Sequence, residues 1–291
     1  MTIFEFLGLL KTIHGKESPD LEAIQRKGLL AVKIAQHYAL RVDFLEPSVC
    51  RELAKLFRST DSIPPSGVEL LIEQNCPPNW LDHFKSFDHH AFASASIGQV
   101  HHATLNNETN VVVKLIKQSN QERFVSDLRR IKRFFNIVLF FYPKLRRVFN
   151  PIEALEYIES YTLNELSLTN EVTGHEHLLA IKNQFGDLYD LTRLRFPHYY
   201  PELSNSNVLV SEYIAGSTFD ELLDDGKLDY DLLLDFFKIH GFYLFAVGEF
   251  HGDIHPGNII LDKSDNIVLI DNGAISKVRH RTAIGFLRFF N

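Results

Sequence analysis

The densest cluster of chemically capable side chains lies toward the carboxyl end, in His251-Gly252-Asp253-Ile254-His255-Pro256-Gly257-Asn258, followed thirteen residues after Asn258 by Asp271-Asn272-Gly273. Phosphoryl transfer needs a carboxylate that orients the acceptor and hard oxygen ligands for Mg²⁺, and a loop offering Asp and Asn with a second Asp one hairpin later supplies both. Asp253 fits the general-base or orienting role, and Asn258 and Asp271 fit the metal. The plainer alternative is a tight turn in which Asp253 and Asn258 only cap backbone groups. The compound pattern, a loop followed by D-x-G after an apolar strand, is more specific than a turn signal. His255 suits a structural bond to the loop backbone as well as it suits a catalytic task.

A centre of this kind also needs a cation on the nucleotide phosphates. Lys114 ends the run Val111-Val-Val-Lys114 in a β-branched segment, the setting of the strand lysine in V-A-I-K. Its bland alternative is a solvated edge lysine. The segment ahead of it, Phe92-Ala93-Ser94-Ala95-Ser96-Ile97-Gly98-Gln99-Val100, stands where a phosphate-covering loop belongs. With Gly98 as its one glycine it fails the G-x-G-x-x-G pattern. Its hydroxyls and backbone N–H groups still suit phosphate oxygens, while alanine narrows the backbone conformations open to it.

These groups need elements to carry them. Apolar residues at three- and four-residue steps from Leu21 to about Arg58 predict two helices broken at Glu46-Pro47, and Ser66–Asn75 predicts a third. A polar loop with Asp82, His83, Asp88, His89 and His90 follows. Ala93–Ala103 and Asn110–Ile116 read as a hairpin about the polar turn 105–109. Helices are expected over Gln121–Phe149, Tyr157–Gln184 and Leu228–Phe250, a buried strand over Asn207–Ile214, a hairpin after Asn258, and a helical tail after Gly273. A lysine-bearing hairpin early and an acidic loop late imply two lobes.

The residues resemble the UbiB/AarF family of atypical protein-kinase-like proteins, associated with isoprenoid quinone (ubiquinone) biosynthesis, from about Lys27 to Ala274. The family's KxGQ helix is matched by Lys33-Ile34-Ala35-Gln36, its alanine-rich loop by ASASIGQV, its strand lysine by Lys114, and its hinge strand by Val208–Gly216 with Glu212 and Ile214. Its ExD motif aligns with Glu165-Leu166-Ser167 and its later helix glutamate with Glu171. The resemblance implies an α+β, two-lobed kinase-like fold with an added N-terminal helical block, divided as residues 1–90, 91–214 and 215–291. It implies ATP and Mg²⁺ as cofactors, with Ala93, Ser94, Ala95, Ser96, Lys114, Glu212, Ile214, Lys33, Gln36 and Glu165 as the cofactor-binding residues. It also implies Lys114 paired with Glu171, and Lys33 with Gln36 facing Glu165. Solvated helix charges are the alternative for both glutamates. Three departures mark the chain: Ala35 for glycine, Ser167 for aspartate, and Asn272 for phenylalanine, which removes an apolar plug. The family continues through further C-lobe helices beyond the 20 residues that follow Asp271 here.

Composition is that of an ordinary folded protein able to bury a substantial core. The chain has 291 residues, 45% of them hydrophobic, and a net charge of −7, which gives no overall basic excess for nucleic acid. Two cysteines, Cys50 and Cys76, are too few for a disulfide framework. A start with Glu5 and no basic n-region is unlike a secretory signal, and no run reaches the roughly 20 apolar residues of a membrane span. A cytoplasmic protein is expected, with contact to a membrane surface as an option. That option rests on Glu122–Phe149, where eight Lys/Arg stand against two acids and are interleaved with Phe134, Phe135, Phe140, Phe141 and Phe149; an N-lobe helix with a solvated basic face is the preferred reading. The expected partners are ATP, a membrane surface or lipid quinone precursor, and quinone-biosynthesis proteins. Three functions compete: a Mg-ATP-dependent kinase or ATPase acting on water or a small or lipid acceptor, a non-catalytic nucleotide-binding scaffold, and a phosphotransferase of aminoglycoside- or choline-kinase type. The first is preferred.

Overall fold

A computed structural model of the chain describes residues 1–15, 18–57, 62–94, 97–117, 121–144 and 150–278. Ala95, Ser96, Arg146, Arg147, Phe149 and most of the tail after Lys277 lie outside these residues. The chain divides into two units, Met1–Asn106 with Val113–Leu166, and Asn107–Val112 with Ser167–Asn291.

In the first unit, α1 (Ile3–Ile13) starts at a capping box in which Thr2 accepts from the Glu5 N–H and Glu5 reaches back to the Thr2 N–H. Next come α2 (Leu21–Arg26) and α3 (Leu29–Ala39). The sequence reading ran these together. Gly28, at φ 99°, separates them with a backbone conformation that a side chain resists. Helix α4 (Pro47–Ala54) begins on its proline, and α5 (Pro65–Asn75) does the same. The polar stretch expected as a loop contains β1 (Phe84–Phe87). Phe84 and Phe87 pack on Trp80 at ring separations of 4.7 and 6.5 Å, and this apolar pair was hidden among flanking His and Asp residues.

Strands β2 (Ala93–Ser94), β3 (Gly98–Leu105) and β4 (Asn110–Ile116) follow. Both β1 and β2 pair antiparallel with β3, with Phe84 opposite Leu105 and Ala93 opposite Val100. Glu108, at φ 69°, turns the chain from β3 into β4. Helix α6 (Gln121–Phe141) and α7 (Pro151–Glu165) complete the unit. Its core is set by Leu9, Leu30, Leu53, Phe124, Leu128 and Ile131, all buried.

The second unit opens with α8 (Thr169–Phe185). The single helix expected over Tyr157–Gln184 is therefore two. Residues 166–168 leave the helical path, and the Leu168 N–H bonds instead to the Ser206 carbonyl at 2.9 Å. Glu165 and Glu171 thus sit on different helices, and helical spacing does not relate them. After β5 (Leu194–Arg195) comes β6 (Val208–Glu212), beside the first residues of β4, where the Tyr213 N–H donates to the Asn110 carbonyl. Strand β7 (Gly216–Thr218) leads into α9 (Phe219–Asp224) and α10 (Tyr230–Gly241). The long aromatic helix expected to reach Phe250 stops earlier: a π-helical turn over Phe242–Val247 ends at Gly248, φ 82°, and β8 (Glu249–His251) begins. Strands β9 (Ile259–Asp262) and β10 (Ile267–Leu269) form the expected hairpin, and the predicted helical tail starts instead with β11 (Ile275–Lys277). One sheet has the order β5-β10-β9-β7, and β11 pairs with β8. Phe236, Ile239, Phe242 and Tyr243 are buried in this unit's core with Leu178 and Ile267.

Phe124 is 1% exposed, so truncating it leaves a void among packed helices. Phe124→Ala is expected to lower the stability of the first unit by about 3–5 kcal/mol. Urea unfolding followed by the fluorescence of Trp80, the chain's one tryptophan, reads that unit directly; an unchanged midpoint would contradict the packing.

Candidate active site

In the second unit the loop between β8 and β9 carries Asp253 and Asn258, and β10 ends just before Asp271. The Ile270 N–H donates to the Asn258 carbonyl at 3.0 Å, extending the β9–β10 ladder in which Leu269 faces Ile259. Thirteen residues of hairpin thereby return Asp271 to Asn258. The Asn258 side-chain amide donates to the Asp253 carbonyl at 3.4 Å, which directs its N–H end into the loop. Asp271 adopts φ 58°, a left-handed conformation uncommon outside glycine, asparagine and aspartate.

His251 is 3% exposed and ties the loop to the same strand. Its Nδ1 accepts from the Asp253 N–H at 3.2 Å, so Nε2 carries the proton and donates to the Ile270 carbonyl at 3.3 Å. The sequence reading quoted His251 within the motif without giving it a task. His255 has the structural bond: its Nδ1 accepts from the Gly257 N–H at 3.0 Å, with Asp220 at 3.8 Å.

The segment after Asp271 packs on the start of α8. Gly273 lies against Glu171, whose Cγ would be 3.2 Å from a Cβ there, and Glu171 itself is 6% exposed. Gly174 leaves room for the Asn272 carbonyl. Asn272 is fully buried; its amide donates to the Leu269 carbonyl at 3.2 Å and the Tyr199 hydroxyl at 3.4 Å, while its Oδ1 has no partner. A polar side chain held by hydrogen bonds thus occupies the core position where the sequence reading expected a lost plug. His175 packs on Tyr199 with ring centroids 4.6 Å apart, and burial lowers its pKa. Farther along α8, His177 bonds Glu249 of β8, and Lys277 of β11 reaches the same carboxylate at 2.7 Å. The Lys277 hydrogen bond is the main cause holding the Glu249 pKa below the usual glutamate range.

Glu212 directs its carboxylate to Arg195 and to the His198 N–H, and its own N–H donates to the His198 carbonyl at 2.8 Å. Ile214, two residues on, is buried.

In the first unit, Lys33 on α3 pairs with Glu165 on α7 and stands 5.3 Å from the Tyr161 ring. Gln36 donates to the Leu56 carbonyl at 2.9 Å, joining α3 to the end of the α4 segment. Lys114 is half-buried on β4, and Gly98 lets β3 approach it: a Cβ there would be 2.9 Å from the Leu115 carbonyl. A second lysine, absent from the sequence reading, closes the loop. Lys117 is 8% exposed, its Nζ donates to the Ser94 hydroxyl at 2.8 Å, and its N–H donates to the Ile97 carbonyl. Its position three residues after Lys114 was the available signal. Gln99 and His101, both fully buried, link the Ile63 N–H to the Asp88 carbonyl beneath the hairpin.

A methyl group on Gly174 would collide with the Asn272 backbone. Gly174→Ala is expected to cost about 2–4 kcal/mol, whereas Gly8→Ala, in open space on α1, stabilises by up to about 1 kcal/mol. Thermal melts of the two variants against the parent check the contrast; similar melting for both would dismiss the close approach.

Comparison with known proteins places this geometry in a family. The ABC1 atypical kinase-like domain matches residues 55–291. A probable protein kinase UbiB from Aeromonas salmonicida is 30% identical over 300 residues, covering 95% of this chain and 53% of that protein. A relative from Clostridium pasteurianum, known as an uncharacterized protein in the hydrogenase 1 5′ region, is 29% identical over 94% of this chain and 51% of its own length. The chain spans about half the length of the curated relatives it matches. Among solved structures, the complex of Rv3197 with erythromycin from Mycobacterium tuberculosis has the same fold, with a TM-score of 0.58 at 24% identity over 94% of this chain and 64% of that one. The chain belongs to the ABC1 atypical kinase-like family, which includes the UbiB proteins, and has its kinase-like fold.

Proposed function

We propose that the chain binds Mg-ATP and transfers its γ-phosphoryl group to water or to a small or lipid acceptor, in support of isoprenoid quinone biosynthesis. The observation that carries this reading is the bond from the Ile270 N–H to the Asn258 carbonyl. It sets one acidic and one amide oxygen donor at neighbouring positions on a single hairpin. Magnesium takes one or two protein ligands and completes its shell with phosphate oxygens and water, so Asp271 and Asn258 fit it without a larger acidic cluster. A magnesium ion held by these two residues would offset the negative charge of the phosphates.

The chain's own groups divide the remaining tasks. Asp253, held through its N–H by His251, orients the acceptor hydroxyl and takes its proton. Lys114 neutralises phosphate charge, and Glu171, buried at the start of α8, is its assigned partner by resemblance. Ser94 is assigned to the phosphates by resemblance, and Lys117 donates to its hydroxyl. Since the Glu212 N–H and carboxylate are engaged within the unit, adenine recognition falls to the main-chain carbonyl of Glu212 and the backbone of Ile214. Lys33, Gln36 and Glu165 hold the helical block in order. The quinone assignment rests on resemblance to the UbiB/AarF proteins.

A scaffold that binds nucleotide without turnover is the second reading. Asn272 favours it, because a buried amide with an unpartnered Oδ1 replaces a plug that helps to set the active arrangement.

Among the described residues, no helix is long and apolar enough to cross a membrane. Surface contact is a separate matter. Arg123, Arg129, Arg130 and Arg133 are exposed on α6, and Ile137, Phe140 and Phe141 continue along the same helix at 61%, 80% and 69% exposure. Basic residues beside exposed aromatics suit an anionic bilayer surface, and we include such peripheral contact in the proposal.

Asp271→Asn keeps the side-chain volume and removes a charge. It is expected to reduce Mg-dependent ATP turnover by at least about 100-fold with an unchanged melting temperature. Turnover equal to the parent's refutes the metal assignment, and nucleotide binding without turnover in the parent favours the scaffold. For the membrane contact, phosphatidylserine vesicles should sediment the chain at low salt and release it at high salt. The Arg129→Glu, Arg133→Glu double variant should lose that sedimentation; equal recovery on neutral vesicles would exclude an electrostatic contact.

A further inference from the structure

The first unit holds a cavity of about 400 Å³ walled by α1, α3, α6 and α7, within the range of roughly 300–1,000 Å³ typical of small-molecule sites. Its walls follow from helical spacing. Phe6 and Leu10 of α1 lie four residues apart, Ile34 lies on α3, Phe135 on α6, and Ala154 and Ile158 four apart on α7. These surfaces are carbon. Water inside such a space finds few hydrogen-bond partners, so an apolar group that displaces it is favoured.

Polar groups gather where α1 and α3 end. His14 and Tyr38 meet with ring centroids 5.2 Å apart, and His37 adjoins Tyr38 at 6.2 Å. Arg41 also lines the cavity, but its guanidinium is already engaged: Nε and a terminal nitrogen each donate to Asp43 at 2.9 Å, and the group lies 4.3 Å from the Phe44 ring centre. Asp43 offsets the guanidinium charge, so an anionic ligand gains little net attraction at Arg41. Burial, with Arg41 nearby, also disfavours the charged form of His37. The polar end therefore offers two imidazole rings and a phenol as hydrogen-bonding groups beside a guanidinium already paired with Asp43. Phe44, 56% exposed, adds an apolar lip.

We infer that this cavity binds an uncharged single-chain amphiphile, with its alkyl chain against Phe6, Leu10, Phe135 and Ile158 and its hydroxyl or carbonyl head at the His14–His37–Tyr38 end. No residue of the phosphoryl-transfer reading lines it, so the site stands whether or not the chain turns over ATP.

The test is equilibrium dialysis of radiolabelled 1-dodecanol against the full chain, with dodecanoate at pH 8 as the charged counterpart. Dodecanol should bind saturably with a stoichiometry of about one, at least about tenfold more tightly than dodecanoate. Ala154→Phe places a ring in the cavity and should weaken binding at least about tenfold without lowering the melting temperature. If Ala154→Phe unfolds, Ala154→Leu decides by the same criterion. Asp271→Asn should bind dodecanol as the parent does. Non-saturable uptake, tighter binding of dodecanoate, or undiminished binding by a folded Ala154 variant would overturn the inference.

Discussion

The candidate centre depends on one buried imidazole. His251 accepts from the Asp253 N–H on one side and donates to the Ile270 carbonyl on the other, from a position that is 3% exposed. A loop rich in glycine and proline would otherwise sample many conformations, and each ordered residue costs about 1–2 kcal/mol of backbone entropy. The imidazole spends that cost on one geometry, in which the acidic loop and the strand before Asp271 are fixed by the same side chain. The Ile270–Asn258 backbone bond then sets the register. Asp271 leaves the strand in a left-handed conformation that aspartate tolerates better than most residues.

The turn after Asp271 is held from below. Gly174 and Gly273 remove two side chains where α8 and the Asp271–Gly273 segment touch. Asn272 fills the space with an amide anchored to Leu269 and Tyr199. Hydrogen bonds are directional, so this plug fixes orientation where an aromatic ring would mainly fill volume. Its unpartnered Oδ1 is a standing cost of about 1–3 kcal/mol.

In the first unit the same logic applies to charge. Lys33 is 6% exposed and is matched by Glu165 across two helices. Breaking a buried pair leaves an uncompensated ion, a larger penalty than the pair's net contribution, so the contact acts more to specify the packing of α3 on α7 than to add stability. The chain from Ile63 through Gln99 and His101 to Asp88 specifies the hairpin in the same way.

Much of this was legible in residue order. The β-branched run at 111–116, the apolar strands of the β9–β10 hairpin, and the Asp, Asn and Asp spacing around it are local patterns, because strand alternation and turn chemistry act over a few residues. The kinase-like family was legible from Lys33–Gln36, the ASASIGQV loop and Lys114. What the sequence left undecided required partners distant along the chain. Helices broke at Gly28 and at 166–168 where a backbone conformation or a bond to Ser206 outweighed apolar periodicity. Strand β1 formed in a polar stretch because Trp80 and β3 gave Phe84 and Phe87 a surface. The tasks of His251, Lys117 and Asn272 depend on bonds to residues 19 to 73 positions away. By itself the sequence determined which chemistries were available and on which elements they ride. Only the tertiary structure decided which donor meets which acceptor, since a buried polar group is satisfied by whatever the fold brings to it.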